Sequence, residues 1–356
     1  MTKIMVVGAS GVLGKLICHE LLRIYKNHIE LIVTDYRTER GEELANSLNS
    51  EVKFQHVDIN DQESVETSIK EIDVVVVVVK QRTPLIQRIC IKRGILCIDV
   101  TPFYDFVKEV KQLDQSAKIN NTASVVMAGF FPGLSGLMVK EAVLKFEEVT
   151  EVNVALLQNT NATAGISGIL DKMKIIDFNV YYKNNDISGF TEKRKMYFLD
   201  HLREKEVRLI DHAEKSLLND IISTKRLNYW TAWNSSSFNT LVSILRQVGL
   251  TKKIDKLNKG VLSKLMIHNA HKDEYAFLTV EVKGMMENRE VVKYLSLRTD
   301  SDYQTTAMVT AALTKIILNK KIKGALTPFE VTNISEVTTV INSNTILVEE
   351  TLHDIE

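Results

Sequence analysis

The sequence is short of the features that mark secreted, membrane-bound or nucleic-acid-binding chains. It has three cysteines, Cys18, Cys90 and Cys97. An odd count with no CxxC pair argues against a disulfide framework, and reduced thiols in a cytoplasmic protein are expected. It has no excess charge of either sign, since 45 Lys and Arg balance 45 Asp and Glu. That argues against the basic footprint of a nucleic-acid partner and against a polybasic membrane surface. The valine run Val74 to Val79 is far too short to span a bilayer. Met1-Thr2-Lys3 leads straight into an apolar strand pattern, so no signal peptide fits there. There is no internal repeat and no low-complexity tract. At 356 residues the chain has room for two domains with proper cores.

What is present begins at once. The apolar run Ile4 to Val7 is followed by Gly8-Ala9-Ser10-Gly11-Val12-Leu13-Gly14 and then by a helical pattern. Strand, glycine turn and helix is the geometry that holds a dinucleotide pyrophosphate. Gly8 allows the tight turn, Gly11 the approach of phosphate to backbone, and Gly14 the close packing of helix on strand. The helix N-terminus adds N–H groups and a positive dipole end. The spacing is GxxGxxG, a weak signal alone. A second apolar run strengthens it by ending at Asp35, twenty-one residues past Gly14, where an acid can bind ribose hydroxyls. A third run ends at Asp58-Ile59, suited to an adenine edge. The six consecutive valines read as a strand buried on both faces, as in a parallel sheet. The expected cofactor-binding set is Gly8, Ser10, Gly11, Val12, Leu13, Gly14, Asp35, Tyr36, Arg37, Asp58, Ile59, Val78, Val79 and Lys80. Asp35 would repel a 2′-phosphate and favours NAD, whereas Arg37 and Arg40 would hold that phosphate and keep NADP open.

Strand and helix patterns alternate as far as Met127, which predicts an α/β fold with a Rossmann-type, doubly wound parallel sheet. After Pro132-Gly133 the pattern changes. Glu151 to Leu157 alternates polar and apolar, and Tyr275 to Gly284 with Arg289 to Arg298 reads as a hairpin. A second α+β domain with a mixed or antiparallel sheet is expected. The expected bounds are 1–130 for the dinucleotide domain, 131–300 for a substrate and dimerisation domain, and 301–356 for a C-terminal helix and tail returning to the first. Tyr303 to Leu318 reads as a helix small on one side at Ala307, Ala311 and Ala312. An exposed hairpin edge in the second domain would suit pairing across a two-fold axis, and a homodimer is expected.

Two residues stand out as candidate catalytic groups. Lys80 closes the valine strand at its C-terminal edge, where ligands bind in open α/β sheets, and Asp99 closes the next strand at the same edge. Asp99, or Thr101 before Pro102, also suits a helix cap. Tyr104 and Lys108 form a YxxxK pair, but it comes straight after the fifth strand with no serine at the usual upstream distance. A surface helix pair fits better. His268 and His271 lack a carboxylate or cysteine to complete a metal set, and no metal is expected. Trp230 and Trp233 suit core packing or a pocket floor.

Together these pieces resemble the saccharopine dehydrogenase family in its smaller bacterial form. The resemblance rests on Gly8 to Gly14, the Asp58-Ile59 strand end, Arg93-Gly94 leading through Ile95 to Thr101, the crossover Gly129 to Leu134, and Tyr303 to Met308 with Gly324 to Glu330. It leaves Phe178 to Lys264 almost uncovered. It implies a Rossmann domain with a mixed α/β domain inserted before a returning C-terminal segment. It also implies NAD(P)-dependent oxidoreduction of a carbon–nitrogen bond in an amino-acid-derived small molecule. The resemblance implies substrate-binding arginines in the second domain, and Arg203, Arg208, Arg226 and Arg246 have no secure alignment to them. Lys80 or Asp99 would take or give the amine proton. Two other readings stay open: a non-catalytic NAD(P)-binding sensor, and an atypical short-chain reductase acting on a carbonyl.

Overall fold

The computed structural model describes residues 1–354 apart from 27, 49–50, 164–165, 200–202, 225, 252–268 and 270. His268 therefore lies outside the described residues. The chain forms two compact units, one made of Met1–Leu137 and Gln304–Asn342, the other of Met138–Tyr303 and Ser343–Glu356.

The first unit is built on a seven-stranded sheet. Its strands are β1 (Thr2–Val7), β2 (Ile29–Asp35), β3 (Lys53–His56), β4 (Val74–Val77), β5 (Leu96–Asp99), β6 (Ala123–Val125) and, late in the chain, β15 (Gly324–Leu326). Every pairing is parallel, in the order β15-β6-β5-β4-β1-β2-β3. Read from the middle, this is the doubly wound arrangement whose order reverses between β1 and β4. Parallel strands need helical crossovers on both faces, which leaves the central strands covered on both sides. Val74 to Val77 accordingly have no exposed surface. The valine ladder stops at Val77, two residues sooner than the run of six suggests, because Val78 already turns to donate its N–H to the Val7 carbonyl.

The helix Asp302–Lys320 joins this unit from Gln304 onward. Gln304 donates to Glu20 at 2.7 Å and Lys315 to the Ile24 carbonyl at 3.2 Å, which ties it to the helix Val12–Tyr25. Thr310 Oγ1 donates to the Ala128 carbonyl at 2.6 Å and seats the helix against the end of β6. A Cβ at Gly129 would lie 3.1 Å from Thr306 Cγ2, and Ala307, Ala311 and Ala312 have no exposed surface, so this side of the helix is closely packed.

The second unit carries a mixed seven-stranded sheet. Its members are β7 (Glu148–Gln158), β10 (Lys193–Phe198), β11 (Arg203–Ile210), β12 (Leu227–Trp233), β13 (Ala276–Met286), β14 (Arg289–Thr299) and β16 (Ile346–Asp354). The order is β10-β11-β12-β7-β13-β14-β16, with only β12 and β7 parallel. A small hairpin of β8 (Asn179–Tyr182) and β9 (Asn185–Ser188) stands apart. The hairpin of β13 and β14 turns on Glu287 and Asn288, both at positive φ, as a two-residue turn matched to strand twist requires.

The hairpin expected to expose an edge is covered instead. β16 pairs with β14 along nine residues. The stretch 301–356 thus divides: it serves the first unit through Asn342, and its tail completes the second sheet. Trp230 and Trp233 are buried in this unit, Trp230 with its indole N–H on Asn153 Oδ1 at 3.0 Å. Among the described residues no helix is long and apolar enough to cross a membrane.

Candidate cofactor site

The loops that follow β1, β2, β3, β4 and β5 all leave the C-terminal edge of the parallel sheet, the ligand edge of such folds. At β1 the three glycines play three different parts. Gly8 has φ +88°, and a Cβ there would lie 2.3 Å from Val79 Cγ1. A Cβ at Gly14 would lie 2.3 Å from the Gly8 carbonyl oxygen and 2.7 Å from that of Ala9, so only glycine lets the helix sit this close to the turn. Gly11 is different. Its φ is −71°, and a Cβ there would meet nothing nearer than the Gly8 oxygen at 3.4 Å. The chain's own packing does not require glycine at 11. The residue is exposed and opens the helix, so the missing side chain leaves the backbone open to solvent there. That helix has no side-chain cap and no acid in its first turn. Its positive end therefore has no built-in counter-charge, and Ser10, Val12 and Leu13 surround a ready anion seat.

At β2, Asp35 is buried, with only 8% of its surface exposed, and its carboxylate is already engaged. Oδ1 accepts the Arg37 N–H at 2.8 Å, and Oδ2 lies 3.6 Å from an Arg40 nitrogen. Arg40 also donates to the Ser10 carbonyl at 3.3 Å, linking the end of β2 to the glycine turn. Tyr36, Arg37 and Arg40 are exposed beside it, with Arg37 over the Tyr36 ring. A tucked acid with two exposed guanidinium groups is a better seat for a phosphate than a lone carboxylate is. The helical position of Arg40 made this link readable only in space.

Asp58 folds on itself, accepting from the Asn60 N–H at 2.9 Å, while Ile59 packs against the core under β3 and β4. Val78 and Val79 are half-buried and wall the glycine turn. Lys80 is exposed, its ammonium 4.1 Å from the centre of the Phe103 ring.

Asp99 is not displayed at the strand mouth. It has no exposed surface. Oδ2 accepts from Gln87 at 2.6 Å and from Gln81 at 3.4 Å, and Oδ1 accepts the Thr101 N–H at 2.6 Å. Burial pushes its carboxyl up to about 6, against the pull of these donors. The expected catalytic role requires contact with a reacting atom. What Asp99 does here is hold the loops after β4 and β5 in register. Gln87 went unnoticed in the sequence, though a glutamine on the apolar face of the helix Leu85–Lys92 is a signal that a polar partner lies beneath. Lys80 and Asp99 thus sit in different settings, one in solvent and one in the core. Tyr104 and Lys108 are both exposed on the helix Tyr104–Lys111.

In the second unit Arg208 is buried and donates to Ser243 at 3.1 Å, and Arg246 donates to the Asp177 carbonyl at 3.2 Å. Both are spent on local structure. A buried trio also forms there, with His212 stacked on Tyr229 and the Tyr229 hydroxyl donating to Glu214 at 2.9 Å. Burial holds His212 down to about 3, so it stays neutral. Among the described residues no group of three or more His, Cys, Asp or Glu is placed to hold a metal.

Residues 4–125, which contain every residue of the candidate cofactor site from Gly8 to Asp99, match the family model for the saccharopine dehydrogenase NADP binding domain. The match covers the N-terminal third of the chain and shows a domain of the saccharopine dehydrogenase NADP binding type. Its first unit is an NAD(P)-binding domain. The fold is shared with apo saccharopine dehydrogenase (L-Glu forming) from Saccharomyces cerevisiae, at 13% identity and TM-score 0.73, over 99% of this chain and 100% of that one. It is shared less closely with an engineered D-amino acid dehydrogenase bound to NADP+, at 15% identity and TM-score 0.51, over 96% and 95% of the two chains. The DAP dehydrogenase of C. glutamicum in complex with DAP stands at 14% and 0.50 over the same shares. No curated protein matches the sequence.

Proposed function

We propose that the chain transfers a hydride between NADP(H) and a carbon–nitrogen bond of an amino-acid-derived small molecule. The observation that carries the cofactor half is Gly11: a glycine that the fold does not need, at the uncapped start of a helix, inside a domain of the matching family. The substrate half is supported by the family and by the amine chemistry of proteins that share the fold. The bound dinucleotide would supply the hydride donor or acceptor. The chain's own groups do the rest. The Gly8–Gly14 turn holds the pyrophosphate, Arg37 and Arg40 grip the 2′-phosphate, and Asp58 with Ile59 borders the adenine. Val78 and Val79 keep water from the turn. Lys80 is the group that holds or gives the amine proton, and Asp99 positions the loop that carries it.

Sequence spacing favours NAD through Asp35. The NADP preference proposed here rests on the engagement of that carboxylate by the Arg37 N–H and Arg40. The test is direct titration with NADPH and NADH, followed by their oxidation in the presence of 2-keto acids and amino acids. NADPH should bind more tightly. Arg40→Met should weaken NADPH about tenfold or more, as loss of a charge-assisted phosphate contact implies, and NADH far less. NADH binding more tightly than NADPH would overturn the cofactor assignment. Tight binding without turnover on any substrate pair would leave the sensor reading in its place.

A further inference from the structure

We infer that His56 is a positioning residue that sets cofactor specificity: it fixes the backbone on which Arg37 stands, and through Arg37 it favours the 2′-phosphate of NADP(H). This role deepens the NADP(H) reading proposed above, on which it rests.

His56 is the last residue of β3, an edge strand, and stands in register with Asp35, the last residue of β2. Its exposed imidazole reaches past the end of β2, and Nε2 lies 3.1 Å from the Tyr36 carbonyl oxygen. A carbonyl oxygen only accepts, so Nε2 carries the hydrogen and donates it. What matters is which peptide is held. The Tyr36 C=O and the Arg37 N–H belong to one peptide group, and that N–H is the one Asp35 Oδ1 accepts at 2.8 Å. The peptide is trans, so its C=O and N–H point opposite ways. Asp35 and His56 therefore hold one peptide plane from its two sides. One bond alone would let the plane rock about its anchor, and the second fixes it.

Arg37 leaves the chain from that plane, with its guanidinium 5.2 Å from the centre of the Tyr36 ring. Arg40, the other half of the phosphate grip, is set by different contacts. It meets Asp35 Oδ2 and the Ser10 carbonyl, and its helix Thr38–Leu48 packs Gly41 against the Phe54 ring of β3. His56 thus acts on Arg37 and leaves Arg40 in place. A dinucleotide without the 2′-phosphate makes no demand on Arg37, so the clamp favours NADP(H) over NAD(H).

The test is titration of the full chain with NADPH, NADH, 2′,5′-ADP and 5′-AMP. The last two keep the adenosine end and differ only in the 2′-phosphate. His56→Leu should weaken NADPH and 2′,5′-ADP about threefold to tenfold, the range of one hydrogen bond, and leave NADH and 5′-AMP within about twofold. His56→Gln should bring NADPH back to within about twofold of wild type, because its amide Nε2 stands as many bonds from Cα as the imidazole Nε2 and also donates. In an Arg37→Met background, His56→Leu should add no further loss of NADPH affinity, since its effect passes through Arg37. Equal weakening of all four ligands marks a merely structural role and overturns the inference, as does a further loss in the Arg37→Met background. A wild-type preference for 2′,5′-ADP that survives His56→Leu overturns it too, and leaves the NADP(H) reading standing. Wild-type chain that binds 5′-AMP as tightly as 2′,5′-ADP overturns that reading and the role of His56 with it.

Discussion

Replacing Asp99 by asparagine separates a structural carboxylate from a catalytic one, and the size of the effect follows from its surroundings. The side chain has no exposed surface and accepts from Gln87, Gln81 and the Thr101 N–H. Burial still outweighs these donors and lifts its carboxyl to about 6, from an unfolded value near 4. An acid raised on folding holds its proton more tightly in the native state. Its ionisation therefore costs stability as pH rises through the window from about 4 to about 6, and the cost is complete above it. Two pH units correspond to about 3 kcal/mol. Asparagine is neutral throughout, so the variant does not incur this cost, although one amide must turn and about 1 kcal/mol of hydrogen bonding is lost. The stability of Asp99→Asn relative to wild type should thus rise by about 3 kcal/mol between about pH 4 and about pH 7. Denaturant unfolding of both proteins at several pH values measures that difference, in which the titration of every other group cancels. NADPH affinity at neutral pH should stay within threefold, because the carboxylate touches the loops and not the cofactor seat. A stability difference that does not change with pH would refute the reasoning. So would a variant that is well folded and has lost cofactor binding.

The glycine turn predicts a split between stability and binding. Gly14→Ala should cost about 1–3 kcal/mol in unfolding experiments, because its Cβ would stand 2.3 Å from the Gly8 oxygen, and cofactor binding should fall with it. Gly11→Ala should stay within about 1 kcal/mol of wild type yet lose at least tenfold in NADPH affinity by titration; unchanged affinity would mean that no phosphate comes near that backbone. Lys80→Met retains a long apolar stem against Phe103 and removes only the charge, so steady-state kinetics should show turnover lowered at least tenfold with NADPH affinity little changed. Full turnover in that variant would take Lys80 out of the reaction.

Much of the cofactor half was readable from spacing, because its signals are local. A strand, three glycines at fixed intervals and a helix are set within a short span at the start of the chain, and backbone geometry dictates each of them. The valine run announced a strand covered on both faces for the same reason. The β13–β14 hairpin was equally local, down to a turn that needs two positive φ values. Residues whose meaning depends on distant partners were not readable. Asp99 looked like a group at the mouth of a strand, and its burial depends on Gln87 and Gln81 reaching it from another segment. Asp35 looked like a bare ribose acid, and only folding brings Arg40 onto both its carboxylate and the Ser10 carbonyl.

By itself, then, the sequence determined the Rossmann unit and the glycine turn at which a phosphate seat is proposed, since short-range sterics and hydrophobic periodicity need nothing beyond neighbouring residues. Only the tertiary structure decided which ionisable groups face solvent, and which strands stand at the edges of the second unit's sheet among the described residues. Ile346–Asp354 became the edge in place of the hairpin because a tail from the end of the chain found the β14 ladder. Such pairing depends on the register and burial of both strands, and no local pattern encodes it.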